Sequence, residues 1–402
     1  MVGGISNAVR KGWVALLETG VSDNGACFRD PNLMTVICHM ASNHEGLDTR
    51  IALKECVSLA AAGYDTHLVI TASAADVAKA AASGVTVHAL PQSPGRLGRM
   101  LRHTWRCYRT ARRVRAAVYH FHDPELIPYG MWLRLRGRHV IYDVHEDYPR
   151  DILDKYWLPK WLRKPVAGAV SALEYVAARW FFGVAAATPL IAERFRRITR
   201  ATVNINNYPW PAELVPPENP RLRQPQVCYV GNITRVRGLR PVIDALPLVP
   251  RVTFVLCGEF SEPGFEEELR TRPGWSQVRF LGRVNREQAR EVMAESIAGL
   301  VTFLPIRSHL DAQPNKLFEY MSAELPVIAS DFPLWREIVA DSHAGICVDP
   351  QSPEQIAAAI RTLLDDPIAA EKMGRIGRQA VLRTYNWPSE AAKLTRFYQG
   401  FA

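Results

Sequence analysis

The chain has 402 residues, of which 48% are hydrophobic, and a formal net charge of +9. A chain of this length usually forms two or more domains, and its apolar content can fill two cores. The sequence contains no run of 18 uncharged apolar residues, which argues against a transmembrane helix. Its seven cysteines are scattered and lack a C-x-x-C pair, which argues against a disulfide-stabilised protein and against a zinc-binding protein. The N-terminal apolar patch is too weak for a signal peptide, so we expect a cytosolic protein.

Strand-like and helix-like runs alternate in the first half of the chain. A strand near Leu33–Met40 precedes a helical run through Leu53 and Val57, and the segment AGYDTHLVI returns as a strand, which is the beginning of a βαβ unit. The alternation predicts a parallel, doubly wound domain. Further strands are predicted at Val85–Leu90, Val118–His122, His139–Asp143, Phe182–Ala187 and Thr202–Ile205.

The positive charge is concentrated in the first half. Residues 1–200 hold 27 Lys and Arg against 17 Asp and Glu, whereas residues 201–402 hold 22 against 23. Six arginines recur every three or four residues without an intervening acid, and on a helix they would form one stripe: Arg96, Arg99, Arg102, Arg106, Arg109 and Arg113.

Apolar and aromatic residues accompany this stripe, with Trp105 and Leu101 among them. They could enter a bilayer interface while the guanidinium groups contact lipid phosphates, and the basic, aromatic segment Lys155–Lys164 favours the same interpretation. The alternative is a surface helix whose Trp105 and Leu101 face the core. Nucleic acid is the other anionic partner to consider, but no nucleic-acid-binding motif is present, so we expect none.

Polar residues follow two of the predicted strands in the first half. His122 and Asp123 come after one strand, and Asp143, His145 and Glu146 come at the end of the next. We expect these side chains to form one polar cluster at the edge of the sheet. A zinc site could be argued from them, but no H-E-x-x-H or comparable spacing occurs, so we predict no metal.

A proline-rich loop, Pro209–Pro225, divides the chain, and the alternation then restarts. We predict a first domain over residues 1–212, a second over 213–385, and a terminal helix over 386–402 that crosses back to the first domain. The strands of the second domain are predicted in VCYVG, TFVLCG, VRFLG, AGLVTFL, PVIAS and AGICVD. Two such domains facing each other would leave a ligand-binding cleft at the carboxyl ends of their strands.

Two segments of the second domain have the composition of a phosphate site. The loop YVGNITRVRGLRPVI places Gly231, Arg235 and Arg237 between a strand and a helix, and a diphosphate requires such a cationic loop with close backbone approach. In the other segment, Pro314 suits the first turn of a helix that we expect to begin near Asn315.

The free N–H groups and positive dipole end of that helix would attract a phosphate, and Lys316 adds a charge at the same place. Glu319, one turn into the helix, could accept two hydrogen bonds from a ribose. Asp311 precedes the helix on an irregular loop from which a carboxylate can reach a sugar. Spacing alone leaves a solvated helix with ordinary charges as an equal alternative.

The segment Asp311-x7-Glu319 resembles the E-x7-E signature of the family 4 glycosyltransferases, which have the two-domain GT-B fold and retain configuration at the anomeric carbon. The resemblance implies that Asp311 contacts the donor sugar and that Glu319 holds the nucleotide ribose. It also implies that Arg237 replaces the family's loop lysine, with Arg235 standing in for the arginine that Asn232 replaces. Gly258, Arg283 and Val284 match positions that hold the base.

A histidine at the position of His145 contacts the donor sugar in that family. The sequences HFHDPEL and YDVHEDYP resemble a bacterial polysaccharide-assembly branch. The chain is therefore expected to transfer a sugar from a UDP- or GDP-type donor, without a metal or other cofactor, to a lipid-linked glycan at the inner face of the cell membrane. A GT-B nucleotide-sugar epimerase and a non-catalytic, sugar-nucleotide-binding scaffold remain the alternatives.

Overall fold

The computed structural model describes residues 34–92, 95–154, 158–215 and 223–400. By its internal contacts the chain separates into two units, one comprising Met1–Asn206 with Glu390–Ala402 and the other comprising Asn207–Ser389. The domain boundaries after residues 212 and 385 remain predictions from the sequence.

The first unit is built on a parallel sheet of seven strands in the order β3-β2-β1-β4-β5-β6-β7. Successive strands are added first to one side of β1 and then, from β4 onward, to the other, so the sheet is doubly wound. The side chains of the central strands are buried on both faces, as in sheets covered by helices on two sides. The strands are β1 (Val36–Glu45), β2 (Asp65–Thr71), β3 (Val85–Leu90), β4 (Val118–Phe121), β5 (His139–Val144), β6 (Gly183–Ala186) and β7 (Thr202–Asn204).

The second unit repeats this plan with six parallel strands in the order β10-β9-β8-β11-β12-β13. The order reverses between β8 and β11. In open α/β sheets, ligands bind beyond the carboxyl ends of the strands at such a reversal. The strands are β8 (Gln226–Val230), β9 (Thr253–Cys257), β10 (Val278–Gly282), β11 (Ala298–Val301), β12 (Val327–Ser330) and β13 (Gly345–Val348).

Helices connect the strands in both units. In the first unit they span Ile51–Cys56, continued by Val57–Ala61, then Ala74–Ala81, Gly95–Gly98, Arg99–His103, Thr104–Val114, Ile127–Leu135, Tyr148–Asp154, Lys160–Trp180 and Pro189–Arg196. In the second unit they span Leu239–Ala245, Phe265–Arg270, Arg286–Glu295, Arg307–Leu310, Asn315–Ser322, Pro333–Val339, Pro353–Asp365 and Pro367–Arg383, and the last helix is Trp387–Gln399.

The predicted α/β class with two doubly wound parallel sheets is confirmed, and every strand predicted from the sequence is present. The prediction that a helix begins at Asn315 is also confirmed. Pro314 occupies its N-cap in an extended conformation, with φ of −68° and ψ of 131°.

The basic stripe lies on a helix, as predicted, but its apolar residues do not face the core. Leu101 is 68% exposed and Trp105 is 48% exposed. The helix packs on the sheet through Cys107, Tyr108 and Ala111, which are buried, and the ring of Trp105 lies at the edge of this face, 5.5 Å from that of Tyr108. The alternative with Trp105 and Leu101 facing the core is therefore wrong. Arg102, Arg106 and Arg109 are exposed, whereas the side chains of Arg96 and Arg99 and residues 155–157 lie outside the described part of the chain.

In the described residues, we find no helix that combines the length and the apolar character needed to span a bilayer.

Substitutions at two glycines of the second unit, Gly238 in the loop before Leu239 and Gly264 elsewhere, can measure how tightly that loop is packed. Gly238 has a φ of 72°, and a Cβ there would lie 1.8 Å from the carbonyl oxygen of Thr302. Gly264 has nearly the same φ, 74°, with no atom within 4 Å of its hypothetical Cβ. Gly264→Ala should cost about 1–2 kcal/mol of stability for the left-handed backbone alone.

Gly238→Ala should cost about 2 kcal/mol more than its control, because a backbone atom must move to admit the methyl group. Chemical denaturation followed by the fluorescence of the second unit's tryptophans compares the two variants. Equal losses of stability would show that the loop relaxes freely.

Candidate functional site

Glycines at the carboxyl ends of β8 and β9 allow the backbone of the second unit to pack very closely. Gly231 and Gly258 have φ values of 141° and 148°, and a Cβ on Gly258 would lie 1.9 Å from the carbonyl oxygen of Gly231. A Cβ on Gly231 would lie 2.3 Å from Nζ of Lys316. The absence of a side chain at 231 thus lets the Lys316 ammonium reach the loop backbone, at the reversal of strand order.

Two cations are held at this loop without a carboxylate partner. Arg237 ends a single 3₁₀ turn, its guanidinium lies 4.1 Å from the ring centroid of Phe303, and its Nε is buried without a hydrogen bond to any described residue. Nζ of Lys316 lies 5.4 Å from the ring centroid of Tyr229. Across residues 34–92, 95–154, 158–215 and 223–400, neither Arg237 nor Lys316 forms an ion pair within 4.0 Å.

Burial lowers the pKa of the Lys316 ammonium, and the positive charge of Arg237 lowers it further, against the opposing effect of Glu319. Two like charges placed close together in a partly buried loop are unfavourable unless an anion joins them. A bound anion would offset the repulsion between Arg237 and Lys316 and the cost of burying the Lys316 ammonium, so the loop is a candidate anion site.

The helix Asn315–Ser322 is fixed to the same place by its buried face. Leu317, Phe318, Tyr320 and Met321 are buried, and the Tyr320 hydroxyl accepts a hydrogen bond of 3.0 Å from the backbone N–H of Val230. This bond joins the helix to the last residue of β8. The N–H groups of the first helical turn, which begins at Asn315, therefore lie near Gly231 and Lys316. Such N–H groups favour the binding of an anion.

Glu319 lies on this helix and is held by Arg286. Nη1 of Arg286 donates to Oε1 of Glu319 at 2.8 Å, and Nη2 of the same arginine donates to Glu213 at 2.8 Å. The carboxylate of Glu319 is one-fifth exposed, and Oε2 is left for another partner. A carboxylate oriented in this way can accept hydrogen bonds from vicinal hydroxyls.

Arg235 has a different environment from Arg237, although both belong to the predicted phosphate loop. Its guanidinium bonds to Glu262 and Glu268 and lies over the ring of Phe265. Because two carboxylates already neutralise Arg235, the geometry favours Arg237 and Lys316 as phosphate ligands. Asn232 accepts a hydrogen bond of 2.5 Å from the hydroxyl of Ser261.

The remaining predicted residues of the second unit lie at neighbouring strand ends. Arg283 is 81% exposed, with a distant contact of 3.9 Å to Glu259, and Val284 packs against the core. Asp311 lies between the helices Arg307–Leu310 and Asn315–Ser322. The backbone beside Asp311 is fixed, because Nε1 of Trp335 donates to the carbonyl oxygen of Ala312 at 2.6 Å.

Three of the five polar residues predicted to cluster in the first unit, His122, Asp143 and His145, come together at the carboxyl ends of β4 and β5. Oδ2 of Asp143 lies 3.1 Å from both Nδ1 of His122 and Nε2 of His145. Asp123 has a separate role, since its Oδ2 accepts hydrogen bonds from the backbone N–H groups of Ser42 at 2.6 Å and Asn43 at 3.0 Å.

Several members of this cluster were not predicted. Arg50 donates to Asp143, and Glu55 lies beside the guanidinium of Arg50 at 3.0 Å. The hydroxyl of Tyr398, near the end of the chain, lies 2.7 Å from Nδ1 of His120. No local pattern marks Glu55 or Tyr398, because each looks like an ordinary residue of a helix.

Comparisons with known proteins assign both units. The family described as "Glycosyl transferases group 1" matches residues 212–380. The family described as "Glycosyl transferase 4-like domain" matches residues 49–206. Together the two matches span most of the chain.

Curated relatives include a glycogen synthase of Mycobacterium tuberculosis, which is 25% identical over 52% of this chain and 50% of its own length. The chain thus spans about half the length of that relative. A phosphatidyl-myo-inositol mannosyltransferase of Mycobacterium leprae is 26% identical over 71% of this chain and 74% of its own length.

Solved structures show the same fold at low sequence identity. Sucrose-phosphate synthase from Thermosynechococcus elongatus has a TM-score of 0.73 at 18% identity, over 92% of this chain and 99% of its own. Anabaena HepE, solved in complex with UDP-glucose, has a TM-score of 0.68 at 16% identity, over 92% of this chain and 100% of its own. With two parallel-sheet units, matching family models and these structural neighbours, the chain belongs to the family 4-type glycosyltransferases of the GT-B fold.

Proposed function

We propose that this glycosyltransferase moves a sugar from a nucleoside diphosphate donor to a lipid-linked glycan acceptor, with retention of configuration, in bacterial exopolysaccharide, capsule or O-antigen synthesis. The observation that carries the proposal is the unpaired cation pair at Gly231. Arg237 and Lys316 are held beside close-packed backbone, and neither forms an ion pair with a carboxylate among the residues that the structure describes. A diphosphate supplies the negative charge that this arrangement lacks.

The reaction develops negative charge on the departing diphosphate. The acceptor hydroxyl attacks the anomeric carbon from the face that the diphosphate leaves, the bond from that carbon to the diphosphate oxygen breaks, and the hydroxyl proton passes to the diphosphate. Arg237, Lys316 and the N–H groups at Asn315 stabilise the leaving charge, and positioned charges of this kind usually supply the largest share of catalysis. We propose that these groups take the place of a metal ion.

Glu319 and Asp311 complete the donor contacts in this proposal. Oε2 of Glu319 accepts from the ribose, while Asp311 and His145 contact the sugar by their match to the family positions. Gly258, Arg283 and Val284 are assigned to the base. A UDP-type donor is supported by Anabaena HepE, whose structure contains UDP-glucose, and a GDP-type donor remains the other candidate.

A membrane-facing surface on the first unit supports the lipid-linked acceptor. Trp105, Trp132 and Trp161 are 48%, 48% and 75% exposed, and they lie on the helices Thr104–Val114, Ile127–Leu135 and Lys160–Trp180. These helices are neighbours in the fold, because the ring of Trp105 lies 6.2 Å from that of Tyr129 and the second helix packs on the third.

The surface of the three helices is basic as well as apolar. Their sequences contain a single acidic residue, Glu174, which is buried and accepts a hydrogen bond from the hydroxyl of Tyr142. Exposed arginines and tryptophans without exposed acids favour contact with an anionic bilayer interface. We therefore place the protein peripherally on the cytoplasmic face of the membrane.

Removing either unpaired cation should reduce turnover without unfolding the protein. Arg237→Ala and Lys316→Ala should each lower kcat by about 100- to 1,000-fold, because each removes one preorganised charge at the leaving group. Arg235→Ala is the matched control and should change kcat far less, since Glu262 and Glu268 already neutralise that arginine. Release of nucleoside diphosphate in the presence of acceptor measures turnover, and near-normal rates in Arg237→Ala and Lys316→Ala would contradict the assignment.

The role of Glu319 predicts a specific loss of ribose recognition. Wild-type protein should bind a ribonucleoside diphosphate about 10- to 100-fold more tightly than its 2′-deoxy analogue, because a hydrogen bond to a carboxylate is lost. Glu319→Ala should bind both with similar affinity in calorimetric titrations. Glu213→Ala removes the other carboxylate of Arg286 and serves as control, so loss of discrimination in that variant too would indicate a general disturbance.

Membrane contact should depend on the basic helix and not on total charge. Changing Arg102, Arg106 and Arg109 to Glu should weaken flotation with anionic liposomes at least about 100-fold, since each basic residue near the surface contributes about 1 kcal/mol. The same charge change at the exposed Arg251, Arg361 and Arg383 of the second unit is the control and should have little effect. If the wild-type protein does not float with anionic liposomes, the membrane assignment is wrong.

A further inference from the structure

A buried polar cluster in the first unit takes no part in the transfer mechanism described above, apart from the sugar contact assigned to His145. It lies at the carboxyl ends of β1, β4 and β5, where the strand order of the sheet reverses. All its members except His145 are at least nine-tenths buried. We call it the histidine cluster, and it consists of His39, Arg50, Glu55, His120, His122, Asp143, His145 and Tyr398.

A metal ion is one occupant to consider, because ligand atoms of Glu55, His120, His122 and Asp143 lie within 4.8 Å of one another. The carboxylates in this group already have a cation. Nη2 of Arg50 lies 2.9 Å and 3.1 Å from the two oxygens of Asp143, and Nε lies 3.0 Å from Oε1 of Glu55. A metal would have to compete with this guanidinium in a fully buried place, so the geometry favours a hydrogen-bond network.

The direction of that network follows from Asp143. Arg50 and the neighbouring histidines hold the pKa of Asp143 well below its usual range, although burial alone would raise it. An ionised carboxylate only accepts hydrogen bonds. Nδ1 of His122 and Nε2 of His145 each lie 3.1 Å from Oδ2 of Asp143 and 3.2 Å from each other. An unprotonated nitrogen at either position would set its lone pair against the carboxylate, so both nitrogens donate to Oδ2.

The remaining histidines then have one consistent arrangement. Nε2 of His122 accepts from Nδ1 of His39 at 3.0 Å, and Nε2 of His39 accepts from the Tyr398 hydroxyl at 3.3 Å. The Tyr398 oxygen accepts from Nδ1 of His120 at 2.7 Å. Each imidazole donates once, which fits neutral rings, and burial lowers the pKa of His39, His120 and His122.

The arrangement determines which nitrogen His145 presents to a ligand. In the neutral ring, Nε2–H is committed to Asp143 and Nδ1 carries the lone pair, and Nδ1 has no hydrogen-bond partner within the described ranges of the chain. The side chain of His145 is 13% exposed, so Nδ1 is open to a small group. The nearest other ring, His44, directs Nδ1 to Asp48 at 3.0 Å and Nε2 towards Asp123 at 3.6 Å, so neither of its nitrogens is directed at His145.

We propose that Asp143 is a positioning residue that fixes His145 with Nδ1 as a hydrogen-bond acceptor, so that His145 recognises a hydroxyl group of the bound sugar substrate. A carbonyl or phosphate oxygen has no proton to offer and is not held by this nitrogen. That the ligand is a sugar rests on the proposed function. The tautomer of His145 and its dependence on Asp143 follow from the hydrogen bonds of the cluster and are independent of that function.

The tautomer can be read directly from the full-length chain labelled with ¹⁵N-histidine. Two-bond ¹⁵N–¹H spectra distinguish a protonated from an unprotonated ring nitrogen, and the signals lost in His145→Gln identify this residue. We expect protonated Nε2 and unprotonated Nδ1 in the wild type and in Tyr398→Phe, because that substitution interrupts the network beyond His122. Asp143→Asn should give a mixture of tautomers, and an Nδ1–H tautomer in the wild type would overturn the proposal.

Kinetics separate positioning from a purely structural role. With active-site concentration set by the folded fraction, Asp143→Asn should lower kcat about 100-fold, the scale of a misaligned polar catalytic contact, while KM for the donor changes only a few-fold. An unchanged kcat per folded molecule would overturn the proposal even if Asp143→Asn were less stable. Tyr398→Phe should retain most of the wild-type kcat.

Two further outcomes are distinguishable. Stoichiometric metal in the purified wild type that disappears in Asp143→Asn would replace the hydrogen-bond network with a metal site and overturn the proposal. If the wild type transfers no sugar, the proposed function fails, and the tautomer measurement on wild type and Tyr398→Phe still decides whether Asp143 fixes His145.

Discussion

Positive charge that forms no ion pair within the described part of the chain is the constraint on which the site of the second unit depends. Arg237 and Lys316 approach the same loop, and burial lowers the pKa of Lys316, an effect that Glu319 opposes and Arg237 reinforces. Gly231 and Gly258 permit this arrangement, because a side chain at either position would displace Lys316 or the loop backbone. Tyr320 then fixes the helix that carries Lys316 to β8. Burial and the repulsion from Arg237 thus disfavour the charged form of Lys316, and a bound anion would favour it.

The first unit deals with buried charge in the opposite way. Asp143 pairs with Arg50, burial lowers the pKa of His39, His120 and His122, and the cluster is hydrogen bonded in one direction. Breaking such a buried pair by removing one partner leaves an unpaired charge and is strongly destabilising. Both sites lie where the strand order of a parallel sheet reverses, which shows how one architecture positions two different kinds of chemistry.

The sequence was sufficient to predict the elements whose signals are local. Buried strands are continuous apolar runs in this chain, and Pro314 marked the start of the helix at Asn315. The sequence did not predict which face of the basic helix is buried, because Trp105 and Cys107 are both residues that occur in protein cores. Only the packing of the helix shows that Cys107 is buried. Likewise, Arg235 and Arg237 are equivalent by composition, and the acids that neutralise Arg235 come from an element about 30 residues later.

The histidine cluster could be predicted only in part. His122, Asp143 and His145 follow adjacent strands, so their grouping follows from parallel topology. His120 and Tyr398 are 278 residues apart, and His39 and Tyr398 are 359 residues apart. Such pairs depend on where the last helix packs, which no local pattern encodes. Predicting the direction of the hydrogen bonds would also have required knowing that Asp143 is ionised.

The most direct test of the account is a thermal-shift screen of the wild-type chain and Lys316→Ala against UDP, GDP, ADP, CMP and dTDP. A ligand that binds only the folded state raises its melting temperature. The account predicts a clear increase with UDP or GDP in the wild type and a much smaller one in Lys316→Ala. No increase with any nucleotide, or an equal increase in both proteins, would contradict the claim that the unpaired cations form the donor site.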